Sequence, residues 1–401
     1  MSEVVNIPQL RFPEFNGEWE EKALGVVATI TTGSTPSTSN NEYYDGDVAF
    51  VSPADIQGNR IVRSTKTTIT ELGLSVVREI KKRSTLFVCI GSTIGKVSQA
   101  GVNCATNQQI NALTAKNSFD NDFIYSLLEF KAPRIKLLAG VQAVPQINKS
   151  EFSRFKFTFP LLPEQQKIAS FLAAVDEKIE QLIKKQELLG SWKKGLTQQI
   201  FSQAIRFKAG DGSDFPDWEE KKLGDVFEIK AGQSKSKHIK KDGKNIIVDM
   251  GGISSEPKLV AKKLTDYDDD FLTTNDLVMP KDDIGGGLII GKVAEIPENN
   301  KYICGDHIYK LTVVNGNITF LKYAINSYQV NKSFRQKANG TAQIGLSRKE
   351  VENQLLSFPS LKEQTKIANF LSSIDSKIEQ VGKQLNESKQ FKKALLQQMF
   401  V

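Results

Sequence analysis

The chain has 401 residues, of which 25% are charged and 39% hydrophobic, and it carries a net charge of +7. No stretch approaches the roughly 18 consecutive apolar residues of a membrane helix, and the first ten residues lack the pattern of a secretory signal. The sequence therefore predicts a cytoplasmic protein without a membrane partner, and its basic charge favours a polyanion such as nucleic acid. The three cysteines and two histidines are too widely spaced for a structural zinc site.

The first globular region, residues 1–162, alternates short strands with polar loops. Trp19 lies in a leading segment and is expected in the core. Glycine, proline and small polar residues at 33–41 predict a loop, and apolar residues at helical spacing predict a helix over 121–138. Strands are expected at 48–51, 61–63, 86–90 and 155–159, with a glycine-bent strand pair at 91–97 and a loop at 140–148.

A long heptad helix follows at residues 163–203. Its core positions alternate steps of four and three residues, which is the 3.5-residue period of a coiled-coil seam. These positions are Ile168, Leu172, Val175, Ile179, Leu182, Gln186, Leu189, Lys193, Leu196 and Ile200.

The second globular region, residues 204–361, repeats this order and leads into a second heptad helix at 362–401. A loop is expected at 232–243 and a helix over 319–338. Strands are expected at 246–248, 277–279, 288–296 and 307–314, and immediately before 358. Adding 199 to the first seam gives the second: Ile367, Leu371, Ile374, Ile378, Val381, Leu385, Ser388, Lys392, Leu395 and Met399.

The two halves form an internal repeat. Between residues 164–181 and 363–380, twelve of eighteen aligned residues are identical, and the same offset relates 18–25 to 217–224 and Gly33 to Gly232. Two surface helices of similar composition would not share an offset beyond the helices. The sequence therefore predicts an α+β fold: two α/β-mixed domains joined by two long antiparallel coiled-coil helices, with pseudo-two-fold symmetry.

The stretches that invite a catalytic interpretation do not complete their motifs. Residues 91–97 have three residues between the glycines where a phosphate loop needs four, and residues 284–288 precede a predicted strand, whereas a dinucleotide site requires a helix. Asp282 and Asp283 lack a second acidic partner and are expected in a solvated turn. Nuclease chemistry at these two residues is the enzymatic alternative. No amino-methylation motif is present, so the chain is predicted to be non-catalytic.

Two antiparallel helices of this length, each roughly 55 Å at ~1.5 Å per residue, would hold the globular domains at a set separation. Paired DNA-binding modules lie about one helical turn apart, ~34–36 Å, so such a helix pair suits a protein that binds DNA at two places. The alternative is a coiled-coil scaffold that joins two partner proteins without recognising DNA.

Cations beside small hydroxyl and amide residues suit phosphate contacts that fix the register on DNA. In the first domain the candidates are Ser34, Thr35, Arg60, Arg63, Lys66, Lys81, Lys82, Arg83 and Lys96. In the second domain they are Gln233, Lys235, Lys237, Lys240, Lys241 and Lys244.

Four aromatic residues beside the seam form a second candidate site. Phe171 and Trp192 occupy the same heptad position, and Phe370 and Phe391 match them in the second helix. They either flank the helix pairing or provide a docking face that is present twice, for two copies of a protein partner.

The repeated helix starts at 163–169 and 362–368, together with the segments 33–36, 94–97, 107–109 and 143–148, resemble the specificity subunit of type I restriction-modification systems. The resemblance covers essentially the whole chain. It departs at Lys362, which stands where the first copy has Pro163, and in most small motifs of the second domain.

This resemblance implies two target-recognition domains, each recognising one half of a split double-stranded DNA sequence, with the helices setting the gap. It also implies docking of two modification subunits, which use S-adenosylmethionine to methylate adenine, and of restriction subunits, which use ATP. S-adenosylmethionine, ATP and Mg²⁺ would then be bound by the partner subunits only.

Overall fold

The computed structural model describes residues 6–139, 145–284, 286–340 and 344–401. The chain forms two compact units: one comprises residues up to 185 together with 381–401, and the other comprises 186–380. Each unit therefore combines one globular region with segments of both long helices. Ala143 and Val144 of the segment 143–148, and Gly285 of the segment 284–288, lie outside the described residues.

The first unit contains short strands and helices, the start of one long helix and the end of the other. Its strands are β1 (Glu20–Ala23), β2 (Ala28–Thr32), β3 (Tyr44–Val51), β4 (Ile61–Val62), β5 (Thr67–Ile69), β6 (Thr85–Val88), β7 (Val97–Ala100), β8 (Cys104–Thr106), β9 (Ile110–Ala115) and β10 (Lys156–Phe159). Its helices are α1 (Leu24–Val27), α2 (Glu71–Ser75), α3 (Asn121–Leu138), α4 (Lys149–Arg154) and the start of α5 (Leu162–Phe201).

Two sheets form the body of the first unit, in the orders β2-β9-β6-β7-β4 and β5-β3-β8, while β1 pairs with β10. Helix α3 packs on the five-stranded sheet and contributes Phe123 to a core that includes Phe87 and Leu113. The helix predicted over 121–138 is confirmed, and the side chain of Asp120 caps it by accepting from the N–H groups of Asp122 and Phe123.

The second unit repeats this construction with different lengths. Its strands are β11 (Glu219–Lys222), β12 (Phe227–Ala231), β13 (Asn245–Val248), β14 (Lys263–Thr265), β15 (Asp276–Pro280), β16 (Asp282–Asp283), β17 (Ala294–Glu295), β18 (Tyr302–Cys304), β19 (Ile308–Val313), β20 (Ile344–Gly345) and β21 (Leu355–Phe358). Its helices are α6 (Leu223–Val226), α7 (Ile318–Ile325), α8 (Tyr328–Lys337), α9 (Arg348–Glu352) and the start of α10 (Leu361–Met399). The sheet orders are β12-β19-β15-β17 and β14-β13-β18, with the pairs β11-β21 and β16-β20.

Two of the helices and strands predicted in the second domain are wrong. The helix predicted over 319–338 is broken into α7 and α8, because the amide of Asn326 binds the backbone of Val293 through both its oxygen (3.0 Å) and its nitrogen (2.8 Å). The strand predicted over 288–296 is reduced to β17, because Gly286, Gly287 and Gly291 have positive φ angles that fold this segment into turns.

The start of each long helix carries a buried glutamate that binds the leading segment of its domain. Glu164 accepts from Arg11 Nε (2.8 Å) and lies 3.4 Å from Trp19 Nε1. In the second unit, Glu363 accepts from Arg206 Nη2 (3.0 Å) and Trp218 Nε1 (3.1 Å). The repeated tryptophan and glutamate therefore join each domain to the helix that follows it.

The next residue of each helix, a buried glutamine, joins the same helix to the domain core. Gln165 accepts from the N–H of Asp120 (3.0 Å) and donates to Pro160 O (2.8 Å). Gln364 accepts from the N–H of Asn317 (2.8 Å) and likewise donates to the carbonyl of a preceding proline. Since Asp120 and Asn317 cap α3 and α7, each glutamine fixes a long helix against the start of a domain helix.

Within the first unit, the end of α10 packs along the start of α5 in the opposite direction. Lys392 Nζ lies 2.5 Å from Asp176 Oδ1, and just beyond the end of α10 the ring of Phe400 contacts Trp19, whose indole reaches the first turn of α5 at Glu164. The predicted seam residues in this region are buried and share one apolar cluster: Ile168, Leu172, Leu395 and Met399.

Within the second unit, the end of α5 packs in the same antiparallel way against the start of α10. Lys193 Nζ lies 2.5 Å from Asp375 Oδ1, and Phe201 contacts Trp218. Each seam lysine therefore meets an aspartate that is related to the other aspartate by the 199-residue offset. Antiparallel pairing of the helix segments is confirmed inside each unit.

Candidate nucleic-acid interface

Four loop segments of the first domain come together through backbone hydrogen bonds. The N–H of Gly33 donates to Ile110 O (3.0 Å), so the loop after β2 lies against the turn before β9. The N–H of Gly91 donates to Pro145 O (2.9 Å), which adds the segments after β6 and before α4. We call this set the first loop surface: residues 33–36, 89–91, 107–109 and 145–148.

The second domain brings together equivalent segments by the same hydrogen bonds. The N–H of Gly232 donates to Ile308 O (2.9 Å), and the N–H of Lys281 donates to His307 O (2.8 Å), as that of Cys89 does to Gln109 O (2.8 Å) in the first domain. We call this set the second loop surface: residues 232–234, 281–283, 305–307 and 344–347. Lys281 thus matches Cys89, and His307 matches Gln109.

Close approach of two backbone segments explains the one glycine that both loops share. A Cβ atom on Gly33 would lie 2.1 Å from Asn107 O, and one on Gly232 would lie 1.8 Å from Gly305 O. Both distances are far below a van der Waals contact, so any side chain would separate the loop from the turn before the next strand. The repeated glycine is therefore a structural requirement of both loop surfaces.

Hydroxyl and amide groups dominate the first loop surface. Thr35 Oγ1 donates to Gln108 Oε1 (2.8 Å), and Asn107 Nδ2 donates to Gln109 Oε1 (2.9 Å). Thr35 and Gln108 are exposed, and Ser34 is partly exposed with its N–H bonded to Thr106 O. Ser34 and Thr35 thus lie on the first loop surface, where uncharged groups able to donate and accept face the solvent.

Carboxylates and an imidazole take the corresponding place on the second loop surface. His307 Nδ1 lies 2.7 Å from Asp282 Oδ2, and His307 Nε2 lies 3.6 Å from Asp306 Oδ2. Gln233, one of the exposed candidates of this domain, lies on the neighbouring loop. Asp282 and Asp283 form β16 opposite β20, so the solvated turn predicted for them is wrong.

A tetrapeptide near both loop surfaces recurs in the two domains. Residues 94–97 and 290–293 both have the sequence Ile-Gly-Lys-Val, at an offset of 196 residues. Gly95 and Gly291 both have positive φ angles and pack against α3 and α8, respectively. The following lysines, Lys96 and Lys292, are partly buried and equivalent. A search for repeats at several offsets would have found Lys292, which a single offset of 199 missed.

Lys292 shares its surroundings with a second cation. Burial, and then the charge of Arg335, lower the pKa of Lys292. The guanidinium of Arg335 is held by the buried Asn331 Oδ1 (2.7 and 3.0 Å), while Asn331 Nδ2 donates to Ile290 O (3.0 Å). Among the described residues, no carboxylate forms an ion pair with Lys292 or Arg335. A fixed pair of uncompensated cations is suited to a phosphate.

The structure corrects two of the predicted DNA contacts. The Arg60 guanidinium is nearly buried and is bound by Asp176 Oδ2 (2.9 Å) and Asp122 Oδ1 (3.3 Å). The Lys235 ammonium is also buried, 3.5 Å from Asp270 Oδ2. Both charges are neutralised inside their domains, so neither is available to a phosphate.

The other predicted cations divide into paired and unpaired groups. Exposed ion pairs engage Arg63 with Glu180, Arg83 with Asp122, Lys81 with Glu79, and Lys240 with Asp266. Lys96 donates to Pro53 O (3.3 Å). Within the described chain, the exposed candidates without an ion pair are Lys66, Lys82, Lys237, Lys241 and Lys244.

The aromatic residues beside the seam differ in exposure. Phe171 packs edge-on against Phe12 but stays 37% exposed, and Trp192 and Phe391 are about half exposed. Phe370 is covered more fully, by Trp192 and Phe207 of its own unit. Three exposed aromatic rings therefore remain on the long helices as candidates for protein contacts.

The described residues contain no group of three or more histidine, cysteine, aspartate or glutamate side chains arranged to hold a metal ion. In the same part of the chain, no helix is long and apolar enough to cross a membrane.

A duplicated scaffold that carries two loop surfaces with polar groups able to pair with base edges, in domains that also expose unpaired lysines, is suited to a nucleic-acid recognition protein. The family model for the type I restriction modification DNA specificity domain matches residues 16–189 and again 216–389. The chain therefore belongs to this family, and its role is DNA recognition.

Curated relatives carry the same description. The chain is 25% identical over 403 residues to the type I restriction enzyme MjaVIII specificity subunit of Methanocaldococcus jannaschii, covering 96% of this chain and 92% of that one. It is 32% identical over 149 residues to the HindI specificity subunit of Haemophilus influenzae, covering 35% of this chain and 32% of that one.

The fold is also shared with solved structures. An S subunit of a type I restriction-modification system from M. genitalium matches with a TM-score of 0.66 at 18% identity, covering 98% of this chain and 99% of the other. A chain from a structure of type I R-M complex assembly and conformational transition matches with a TM-score of 0.57 at 16% identity, covering 96% and 97%. The predicted α+β architecture with an internal repeat is thereby confirmed.

Proposed function

We propose that each loop surface binds one half of a two-part double-stranded DNA target. The observation that carries this proposal is the matched backbone of the two loop surfaces, which present different side chains at equivalent positions. A shared scaffold with different polar groups suits two related sites that recognise different bases. Lys292 with Arg335, and the unpaired exposed lysines, would supply sequence-independent phosphate contacts around them.

We also propose that the two long helices set the gap between the half-sites and dock two modification subunits. Phe171, Trp192 and Phe391 are the docking candidates, because exposed aromatic rings are enriched where proteins associate. The chain itself would be non-catalytic. S-adenosylmethionine, ATP and Mg²⁺ would be bound by the modification and restriction subunits, and the complex would act in the cytoplasm, where the DNA is.

A domain exchange tests the proposal. Residues 231–357 are replaced by the matching region of a relative, and a genome-wide methylation map is made from cells that also carry the modification partner. One half of the methylated sequence is expected to change while the other half and the gap remain the same. An unchanged sequence, or changes in both halves, would contradict recognition by separate domains.

The coiled-coil scaffold is the competing function. A scaffold would bind its partners through the helices and show no preference among DNA sequences. DNA binding by the complex with its modification partner is therefore measured against salt concentration with specific and unrelated duplexes. Equal affinity for both duplexes would favour the scaffold. Metal-dependent cleavage by the purified chain would instead support nuclease chemistry at Asp282 and Asp283.

A further inference from the structure

Gln109 and His307 occupy equivalent positions in the two domains, and their side chains have chemically different neighbours. Each residue immediately precedes the strand that receives the loop glycine, at Ile110 in the first domain and Ile308 in the second. The carbonyl of each accepts from the segment that follows β6 or β15, at 2.8 Å in both domains. The two side chains therefore start from matched backbone positions at the centre of the loop surfaces.

Gln109 presents an amide that can both donate and accept. Its Oε1 accepts from Asn107 Nδ2 (2.9 Å), and its Nε2 makes a long hydrogen bond to Ile90 O (3.4 Å). An amide oxygen has two lone pairs and an amide nitrogen has two hydrogens, so one of each remains for a ligand. Gln109 is partly exposed and lies beside the exposed Gln108.

His307 lies beside two carboxylates, which act as acceptors at the equivalent position. Its backbone has a φ angle of +61°, a left-handed conformation that is uncommon for residues other than glycine, and its ring is 45% exposed. A carboxylate only accepts hydrogen bonds, so at 2.7 Å Asp282 Oδ2 accepts from Nδ1 of the ring. Asp306 Oδ2 lies 3.6 Å from Nε2 and adds a second acceptor.

We infer that Gln109 and His307 are the central base-recognising residues of the two loop surfaces, and that they select different base pairs. This inference rests on the proposed binding of one half-site by each loop surface. In the major groove adenine offers a donor beside an acceptor, which an amide matches with both its groups. Cytosine offers its N4 amino group as a donor, which the Asp306 carboxylate beside His307 matches. Gln109 thus selects an A·T pair, and His307 together with Asp306 selects a C·G pair.

Carboxylates at this position support the assignment. An aspartate beside DNA is repelled by the phosphates unless its oxygen accepts from a base amino group. Asp306 is partly exposed, and Lys281 Nζ lies 3.9 Å away, so its charge is only weakly compensated within the domain. A loop that binds only phosphates would not carry such a group, whereas a loop that accepts from a base amino group can use one.

Genome-wide methylation maps of single variants test this inference in cells that carry the modification partner. The variants are His307→Gln and, because asparagine tolerates a left-handed backbone, His307→Asn. Each is expected to change the preference for one base over the others by roughly 5- to 150-fold at one position of one half-site, which is the range for losing one specific base contact. Gln109→His is expected to change one position of the other half-site. Lys258→Gln, which alters an exposed ion pair outside both loop surfaces, is the unchanged control.

The outcomes distinguish a failure of this inference from a failure of the proposed function. Unchanged base preferences in both His307 variants, or a uniform loss of methylation at all sites, would overturn the inference, because a structural residue affects every sequence equally. If the unsubstituted protein itself gives no two-part methylated sequence, the proposed function fails. Changes in base preference confined to one half-site for each residue would support the assignment.

Discussion

Replacing Glu363 by alanine removes the group that joins the leading segment of the second domain to α10. The side chain is fully buried, and it accepts from Arg206 Nη2 (3.0 Å) and Trp218 Nε1 (3.1 Å). Removing one partner of a buried ion pair costs about 3–5 kcal/mol, because the remaining charge is left without compensation. Arg206 keeps 23% exposure and can recover some hydration, so we expect the lower value, about 3 kcal/mol.

That loss of stability is measurable as a thermal shift. Each kcal/mol lowers Tm by roughly 2–4 °C in a unit of this size, so Glu363→Ala is expected to lower Tm by roughly 6–12 °C in calorimetry or circular dichroism. Glu363→Gln keeps an acceptor but loses the charge, and should give a smaller shift.

Two further variants make the thermal test specific. Glu228→Ala, which breaks the exposed pair with Lys230, is the control and should leave Tm unchanged. Glu164→Ala should reproduce the loss in the first unit, where Arg11 and Trp19 surround the matching carboxylate. A Glu363→Ala protein that melts within ~2 °C of the unsubstituted chain would refute the assigned role.

Three other predictions concern phosphate binding, the helix seam and the thiols. Lys292→Gln should weaken binding to all DNA sequences equally and reduce the slope of log affinity against log salt by about 1; a change in base preference would contradict a phosphate contact. Asp176→Ala removes a carboxylate from the buried Arg60 and Lys392, so it should lower the free energy of unfolding in urea by about 3–5 kcal/mol. Asp375 is more exposed, so Asp375→Ala should lower it by ~1 kcal/mol or less. Equal losses for the two variants would be inconsistent with this difference in burial. Burial raises the pKa of the thiols of Cys89, Cys104 and Cys304 to about 12. A maleimide at pH 8 should therefore label them slowly until guanidinium unfolds the chain. Equal labelling rates for the native and the unfolded protein would contradict this.

The sequence predicts the long helices and the positions of their contacts well, because both depend on periodicity. A heptad pattern repeated at one offset predicts two seams, and Lys193 and Lys392 meet Asp375 and Asp176 as an antiparallel repeat requires. The helix at Asn121–Leu138 is equally accessible, because its apolar spacing and its aspartate cap are local features.

Features that depend on contacts between residues distant in sequence leave no local pattern from which they could be predicted. Nothing near Arg60 in the sequence indicates that Asp122 and Asp176 will bury its charge. The break between α7 and α8 depends on Asn326 binding Val293, 33 residues earlier. A count of lysines and arginines therefore overestimates the DNA-binding surface and includes charges that the domain uses for its own stability.

The internal repeat distinguishes residues that hold the fold together from residues that are candidates for DNA recognition. Residues that recur between the halves hold backbones together: the glutamates and glutamines that bind each leading segment and domain helix, and Gly33 and Gly232, which permit close approach. Gln109 and His307 occupy equivalent backbone positions in the two domains, but one carries an amide and the other an imidazole beside carboxylates. Because backbone hydrogen bonds maintain each loop surface, an exposed side chain there can change without loss of the fold. Two copies of one architecture can in this way recognise two different half-sites.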